Sequence, residues 1–158
     1  MSFRIQDGQS IIEGDFSKLE KLIENLKGDH SVDIGVFESA VTGDGMSVAT
    51  YGAYNEFGSI SGDHPPKRSF IRMPLEQKQA KIAQYAEKNA QKNIESGNVK
   101  AIFEDIGIAG ESVIQEAFDT RGFGTWKPDA DSTIEKKGSD APLIDIGTLR
   151  HAITHRTK

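Results

Sequence analysis

Residues able to do chemistry are few in this chain and stand far apart. His151 and His155 are four apart, the spacing that puts two imidazoles on one helix face, and with His64 and Asp63 or Asp145 they could ligate a metal ion. Arg150 and Arg156 oppose a cation beside that pair, and such a site needs a third ligand and supporting hydrogen bonds. Glu56, next to Phe57 and Gly58, could be a catalytic carboxylate, but no second acid or histidine sits at an interpretable spacing. The other role open to Glu56 is an ion pair with Arg68 at a helix end or subunit interface, because a guanidinium binds a carboxylate through two parallel hydrogen bonds. Gly122-x-Gly124 is too short for a nucleotide-binding fingerprint, and no phosphate loop with Lys-Ser/Thr occurs. The absence of cysteine excludes disulfides, thiolate metal sites and cysteine nucleophiles together, and fits synthesis in a cytoplasm. No cofactor is called for.

Two further sets of residues point to contact rather than catalysis. Lys67, Arg68 and Arg72, and from the C-terminus Arg150, Arg156 and Lys158, could face a channel through which DNA passes, or form a solvated face. A formal net charge of −5 argues against wrapping a duplex and so against a DNA-binding regulator, while leaving room for weak, sequence-independent phosphate contact. Trp126, the one tryptophan, lies among Gly122, Gly124 and Pro128. It reads either as a lid over the core or as an anchor against a neighbouring subunit, and the long aperiodic stretch around it favours the anchor.

Positioning these residues falls to a single domain, 1–158, since 158 residues support one real core and two halves would each be marginal. An apolar fraction of 36% against 27% charged residues leaves much of the chain to face water or await a partner. No stretch approaches the roughly 20 apolar residues of a membrane span, and the first residues lack the apolar run of a signal peptide, so a soluble protein is expected. Phe3 and Ile5 alternate with polar residues as in a short strand. Phe16, Leu19, Leu22, Ile23 and Leu26 recur at helical spacing until Gly28. Val32, Ile34 and Val36 mark a strand, and Val48 to Phe57 reads as a helix, although Gly52 and its aromatic neighbours also permit a strand. From about Pro74, a narrow stripe of Ile82, Ala83, Ala86, Ala90 and Ile94 predicts one long surface helix to about Gly97. Val99 to Phe118 carries the broadest apolar face and should be the central core helix, with Gly107 and Gly110 marking a close helix crossing or a docking place. Periodicity then vanishes from Arg121 to Gly147, and Leu149 to Thr157 reads as a terminal strand or a helix turn leading into one. The fold class expected is α+β, a small mixed or antiparallel sheet against two or three helices with long irregular loops. Loops around 39–47, 59–68 and 120–147 are expected to be mobile in the free chain and to become ordered on docking.

Two blocks of sequence go beyond generic folding. The first is Tyr51-Gly52-Ala53-Tyr54-Asn55-Glu56-Phe57-Gly58, followed by Pro65-Pro66-Lys67-Arg68-Ser69-Phe70-Ile71. The second is Trp126-x-Pro128, then Thr133, Lys137 and Pro142-Leu143-Ile144-Asp145-x-Gly147-x-Leu149. Their order and spacing resemble the virion-morphogenesis and tail-completion proteins of tailed phages, the Mu-like family and related minor tail components, over roughly Val48 to Ile153. The chain departs from that pattern at Asp129, where the family favours Leu, and at Ile146, where it favours Thr. The resemblance implies a non-enzymatic structural protein of the virion, made in the bacterial cytoplasm and built into the head-proximal neck of the tail. It implies a homo-oligomeric ring, expected to be a hexamer, that touches the tail terminator or tube protein and the head-tail connector and makes no membrane contact. On this reading Asn55, Glu56, Phe57, Arg68, Phe70, Trp126, Pro128, Asp145 and Leu149 are the expected interface or neck-contact residues, and Lys67, Arg68 and Arg72 the DNA-channel candidates. The rival reading is a small metal-dependent hydrolase or nuclease using Glu56, His64, His151 and His155.

Overall fold

The computed structural model describes residues 2–7, 10–15, 17–37, 45–59, 65–145 and 147–158, with backbone alone for residues 2–7 and 10–15 and for Lys18. Phe16, Asp63, His64 and Ile146, and the segments 38–44 and 60–64 of two expected loops, lie outside these residues. The fold is α+β, with antiparallel pairing in both of its two-stranded sheets. Strands β1 (Ser2–Asp7) and β2 (Ser10–Asp15) form a hairpin in which Phe3 pairs with Gly14 and Ile5 with Ile12. Sequence reading finds β1 and misses β2, because the adjacent Ile11 and Ile12 break the alternation that marks a strand. Helix α1 (Ser17–Leu26) follows and ends, as expected, before Gly28.

The second sheet joins β3 (Val32–Val36) to the last strand, β4 (Ile153–Thr157), in the register Val32 to Thr157 and Val36 to Ile153. Between them run α2 (Val48–Phe57), α3 (Arg72–Gln77), α4 (Gln79–Glu95), α5 (Val99–Asp119), α6 (Asp131–Lys137) and α7 (Thr148–His151). The single helix expected from about Pro74 is thus two, divided at Lys78, whose ψ of 19° leaves the helical range. The break turns the Lys78 ammonium over the Phe123 ring, 4.5 Å from its centroid, and lets Leu75 lean onto α5 beside Gly110.

Helix α5 is the axis of the molecule. Its side chain-accepting cap is Asn98, whose Oδ1 receives the Ala101 amide, and Val113, Ile114, Ala117 and Phe118 are buried along it. The two glycines admit a close approach, but of the sheet rather than of a helix: a Cβ on Gly107 would overlap the His155 ring, and one on Gly110 would overlap Ile34. Phe118 also anchors the aromatic core, edge-on to Phe70 at 5.8 Å and to Trp126 at 5.5 Å. No helix among the described residues is long and apolar enough to cross a membrane.

The stretch after α5 is ordered by geometry that leaves no periodic trace. Arg121, Gly122, Phe123 and Gly124 all have φ between 54° and 81°, one short left-handed turn that reverses the chain and lays Trp126 back over Gly122. Helix α6 buries no residue, so no apolar stripe announces it, and Gly138 ends it in the left-handed conformation.

Candidate functional site

The two sequence blocks, far apart in the chain, meet in one polar cluster beneath α2. Glu56, on the last turn of α2, is 5% exposed and points at the start of α3. Its Oε2 accepts the amides of Phe70 at 2.7 Å and Ile71 at 2.9 Å, while Oε1 accepts the Ser69 hydroxyl at 2.6 Å and the Arg72 amide at 3.2 Å. The residue at the N-cap of α3, Ile71, has no side chain that can cap it, and a carboxylate from another helix takes the first amides. Ser69 extends the arrangement by accepting the Met73 amide at 3.0 Å.

Arg68 is equally buried, at 5%, and takes a separate set of partners. Its Nε donates to the Lys127 carbonyl at 2.7 Å and its Nη2 to the Pro128 carbonyl at 2.9 Å, and the same nitrogen lies 2.9 Å from Asp129 Oδ1. The other oxygen of Asp129 takes Lys137 Nζ at 2.5 Å, and that ammonium also reaches the Ala141 carbonyl at 2.8 Å. The expected Glu56–Arg68 ion pair is therefore replaced by two separate arrangements: Glu56 serves backbone amides, and Asp129 neutralises both Arg68 and Lys137. Trp126 closes the cluster by donating its Nε1 hydrogen to the Ser69 carbonyl at 3.1 Å. The backbone groups so engaged are the free amides at the start of α3 and carbonyls and amides of irregular segments, which no helix or sheet bond satisfies.

Several of the residues expected to make contacts with neighbours are engaged inside the chain's own fold. Asn55, Glu56, Arg68, Phe70, Trp126 and Leu149 are all buried within it. Trp126, at 8% exposure, is the lid over the core and not an exposed anchor. Asn55 donates from Nδ2 to the Tyr51 carbonyl at 2.9 Å, and its own carbonyl receives the Arg68 amide at 2.7 Å. Of the expected contact residues, Phe57, Pro128 and Asp145 remain exposed, as do Lys67 and Arg72 of the candidate DNA-channel set, whereas Arg68 is internal. The 120–147 loop, expected to be mobile, is pinned through Arg68, Trp126 and Lys137 over its described part.

The second block carries its own backbone logic. Leu143 is buried with a φ of 63° and Gly147 has a φ of 83° at the start of α7, so left-handed corners stand at both residues, beside the core anchors Leu143 and Leu149. Asp129, the residue that departs from the resemblance, is the centre of the ion cluster that sequence reasoning missed. The available signal was that Lys137 had no anion assigned and Arg68 only Glu56, and the departure supplies one to both.

Around this cluster Tyr51, Asn55, Pro66, Arg68, Pro128 and Thr133 line a cleft of about 580 Å³. Burial holds the Tyr51 hydroxyl above its ordinary pKa, against a smaller opposing effect of its hydrogen bond with Asn55. Among the described residues, every buried side-chain nitrogen or oxygen has a hydrogen-bond partner.

The histidines proposed as metal ligands do not share a face. His151 ends α7 and lies over Gly147, whereas His155 belongs to β4 and points at α5. Its Nδ1 is 2.8 Å from Glu111 and its Nε2 2.9 Å from Glu104, which Thr157 also engages through its hydroxyl. Both ring nitrogens are thus occupied by carboxylates, the arrangement of a charged imidazolium clamp. Burial opposes that charge, but the hydrogen bonds from Glu104 and Glu111 outweigh it and raise the His155 pKa. Among the described residues, no group of three histidine, cysteine, aspartate or glutamate side chains is placed to hold a metal ion. No family model, curated protein or solved structure matches the chain.

Proposed function

We propose that this chain is a structural assembly protein of a tailed phage, one subunit of a ring that completes the head-proximal end of the tail and helps join it to the head. The observation that supports this reading is the convergence of both sequence blocks on one polar cluster. The motif residues able to carry charge, Glu56, Arg68 and Lys137, engage the chain's own amides, carbonyls and Asp129. Residues used in this way shape a platform, and the work of such a platform is energetic: it presents fixed surfaces on which neighbours dock. A ring requires a head-to-tail contact between two different faces of each subunit, and six such subunits are the expected closure. The partners are other copies, the tail terminator or tube protein and the head-tail connector, with Lys67 and Arg72 available for passing contact with DNA.

Electron microscopy of lysates from a phage lacking this chain, with and without the chain supplied from a plasmid, tests the reading. Complete heads and tails that fail to join, rescued by the plasmid, are expected. Normal infectious particles without the chain would overturn it, and stoichiometric metal in the purified chain would bring the hydrolase reading forward.

A further inference from the structure

Strand β4 is held on α5 in two different ways. Alternation along it turns Ile153, His155 and Thr157 toward α5 and leaves Thr154, Arg156 and Lys158 exposed on the outer face. Ile153 is buried in the core and anchors the near end of the strand by apolar contact. Beyond it the hold is polar. His155 occupies the gap that Gly107 leaves, its Nδ1 2.8 Å from Glu111 Oε1 and its Nε2 2.9 Å from Glu104 Oε2. The Thr157 hydroxyl donates to the other oxygen of Glu104.

This arrangement is complete in one protonation state alone. Ionised carboxylates accept and cannot donate, so both ring nitrogens must carry hydrogen, which only the imidazolium supplies. A neutral ring keeps one of the two bonds and turns a lone pair on the other carboxylate at bonding distance. The charged groups that face the ring are Glu104 and Glu111 of α5, with Lys100 acting on Glu104 from a turn away, while β3 sets the uncharged Ile34 opposite it. Asp33, Arg156 and Lys158 lie on the outer face, where Lys158 Nζ is 2.6 Å from Asp33 and the Arg156 guanidinium 4.4 Å from the centroid of the Phe37 ring. Those contacts tie β4 to β3 and not to α5. The Lys158 amide donates to the Ser31 carbonyl at 3.0 Å, so by antiparallel alternation the Arg156 amide bonds to β3 as well. A two-stranded ladder without a packed face is marginal in water, so the far half of β4 depends on its bonds to α5.

We infer that His155 is a proton-operated latch on one end of the sheet: the imidazolium pins residues 154–158 to α5, and its deprotonation lets them lift away, hinged at Ile153, while the helices stay folded. Lifting uncovers the backbone groups of β3 that β4 had bonded and the Gly107 face of α5. The direction follows from the raised pKa of His155. The latch is fully engaged below the ordinary 6.5 and lets go as pH rises through the folded value. It belongs to the single chain, so it stands or falls independently of the ring.

Native-state hydrogen exchange of the full chain, followed by nuclear magnetic resonance and corrected at each pH for the intrinsic rate, tests the latch. Protection of the Arg156 and Lys158 amides is expected to fall by up to about tenfold per pH unit from 6.5 to the folded pKa of His155, read in the same spectra, and then to level off. Low urea should leave that exchange unchanged, because half a strand exposes little surface, while the Val113 to Phe118 amides lose protection steadily. His155→Gln should hold Arg156 and Lys158 at the alkaline level at every pH. Protection that stays flat while His155 titrates overturns the latch. So does a fall that persists in His155→Gln, or one that follows urea as α5 does, since the chain then opens as a whole. The wild-type measurements decide by themselves if the variant unfolds, which circular dichroism would report.

Discussion

At the scale of single residues, the motif acids and bases act as fasteners. Glu56 satisfies three backbone amides, that of Phe70 fully buried, and a hydroxyl, so Glu56→Ala should cost about 3 kcal/mol, since these donors lose their acceptor. Urea unfolding of the purified variant checks it, and a cost within a few tenths of a kcal/mol would mean that water replaces the carboxylate. Asp129→Leu, which restores the residue the resemblance favours, should also destabilise by about 3 kcal/mol, because Arg68 and Lys137 lose their shared counter-ion while still buried. Pairing it with Lys137→Met should recover part of that loss, a coupling readable in a double-mutant cycle. Sequence reading identified Glu56, Arg68, Lys137 and Trp126 as the residues that matter. It misassigned their partners because an ion pair is chosen by three-dimensional proximity, and the fold sets Glu56 against the Phe70 and Ile71 amides while Arg68 meets Lys127, Pro128 and Asp129.

At the scale of elements, the β3–β4 sheet is held on α5 by shape and by charge. Gly107→Ala forces the His155 ring away and should cost about 2 kcal/mol, which thermal unfolding would register as a lowered midpoint. The clamp of His155 between Glu104 and Glu111 adds a dependence on pH. Its folded pKa is raised above the ordinary 6.5, so its contribution is fully present below pH 6.5 and is lost as pH rises through the folded value. His155→Gln should therefore abolish the decline in stability over that window, and an unchanged profile would place the dependence elsewhere. Glu104 behaves oppositely in acid: its hydrogen bonds with Thr157 and His155 depress its pKa, so that contribution fades as pH falls below the ordinary carboxylate range. The major helices α1, α4 and α5 were legible because each carries an apolar stripe at helical spacing, which α5 buries most fully. The hairpin strand β2, the break at Lys78 and helix α6 were not, because an adjacent apolar pair, a cation over an aromatic ring and a helix that buries nothing leave no period to read.

At the scale of the whole molecule, the closing contact is the longest one. Strand β4 pairs with β3 across more than 100 intervening residues, and Ile153 is part of the aromatic and aliphatic core. Removing residues 153–158 should leave helical circular dichroism largely in place but abolish the cooperative thermal transition, with the exposed face of α5 binding a hydrophobic dye. A truncated chain that still melts cooperatively would show the helices to be self-sufficient. The same pairing sets an order in time. While the chain is being synthesised, β3 has no partner until residue 157 has left the ribosome, and until then the glycine-marked face of α5 remains bare. The platform is therefore completed only after synthesis has passed β4, and a nascent chain still short of that strand has no closed sheet on α5.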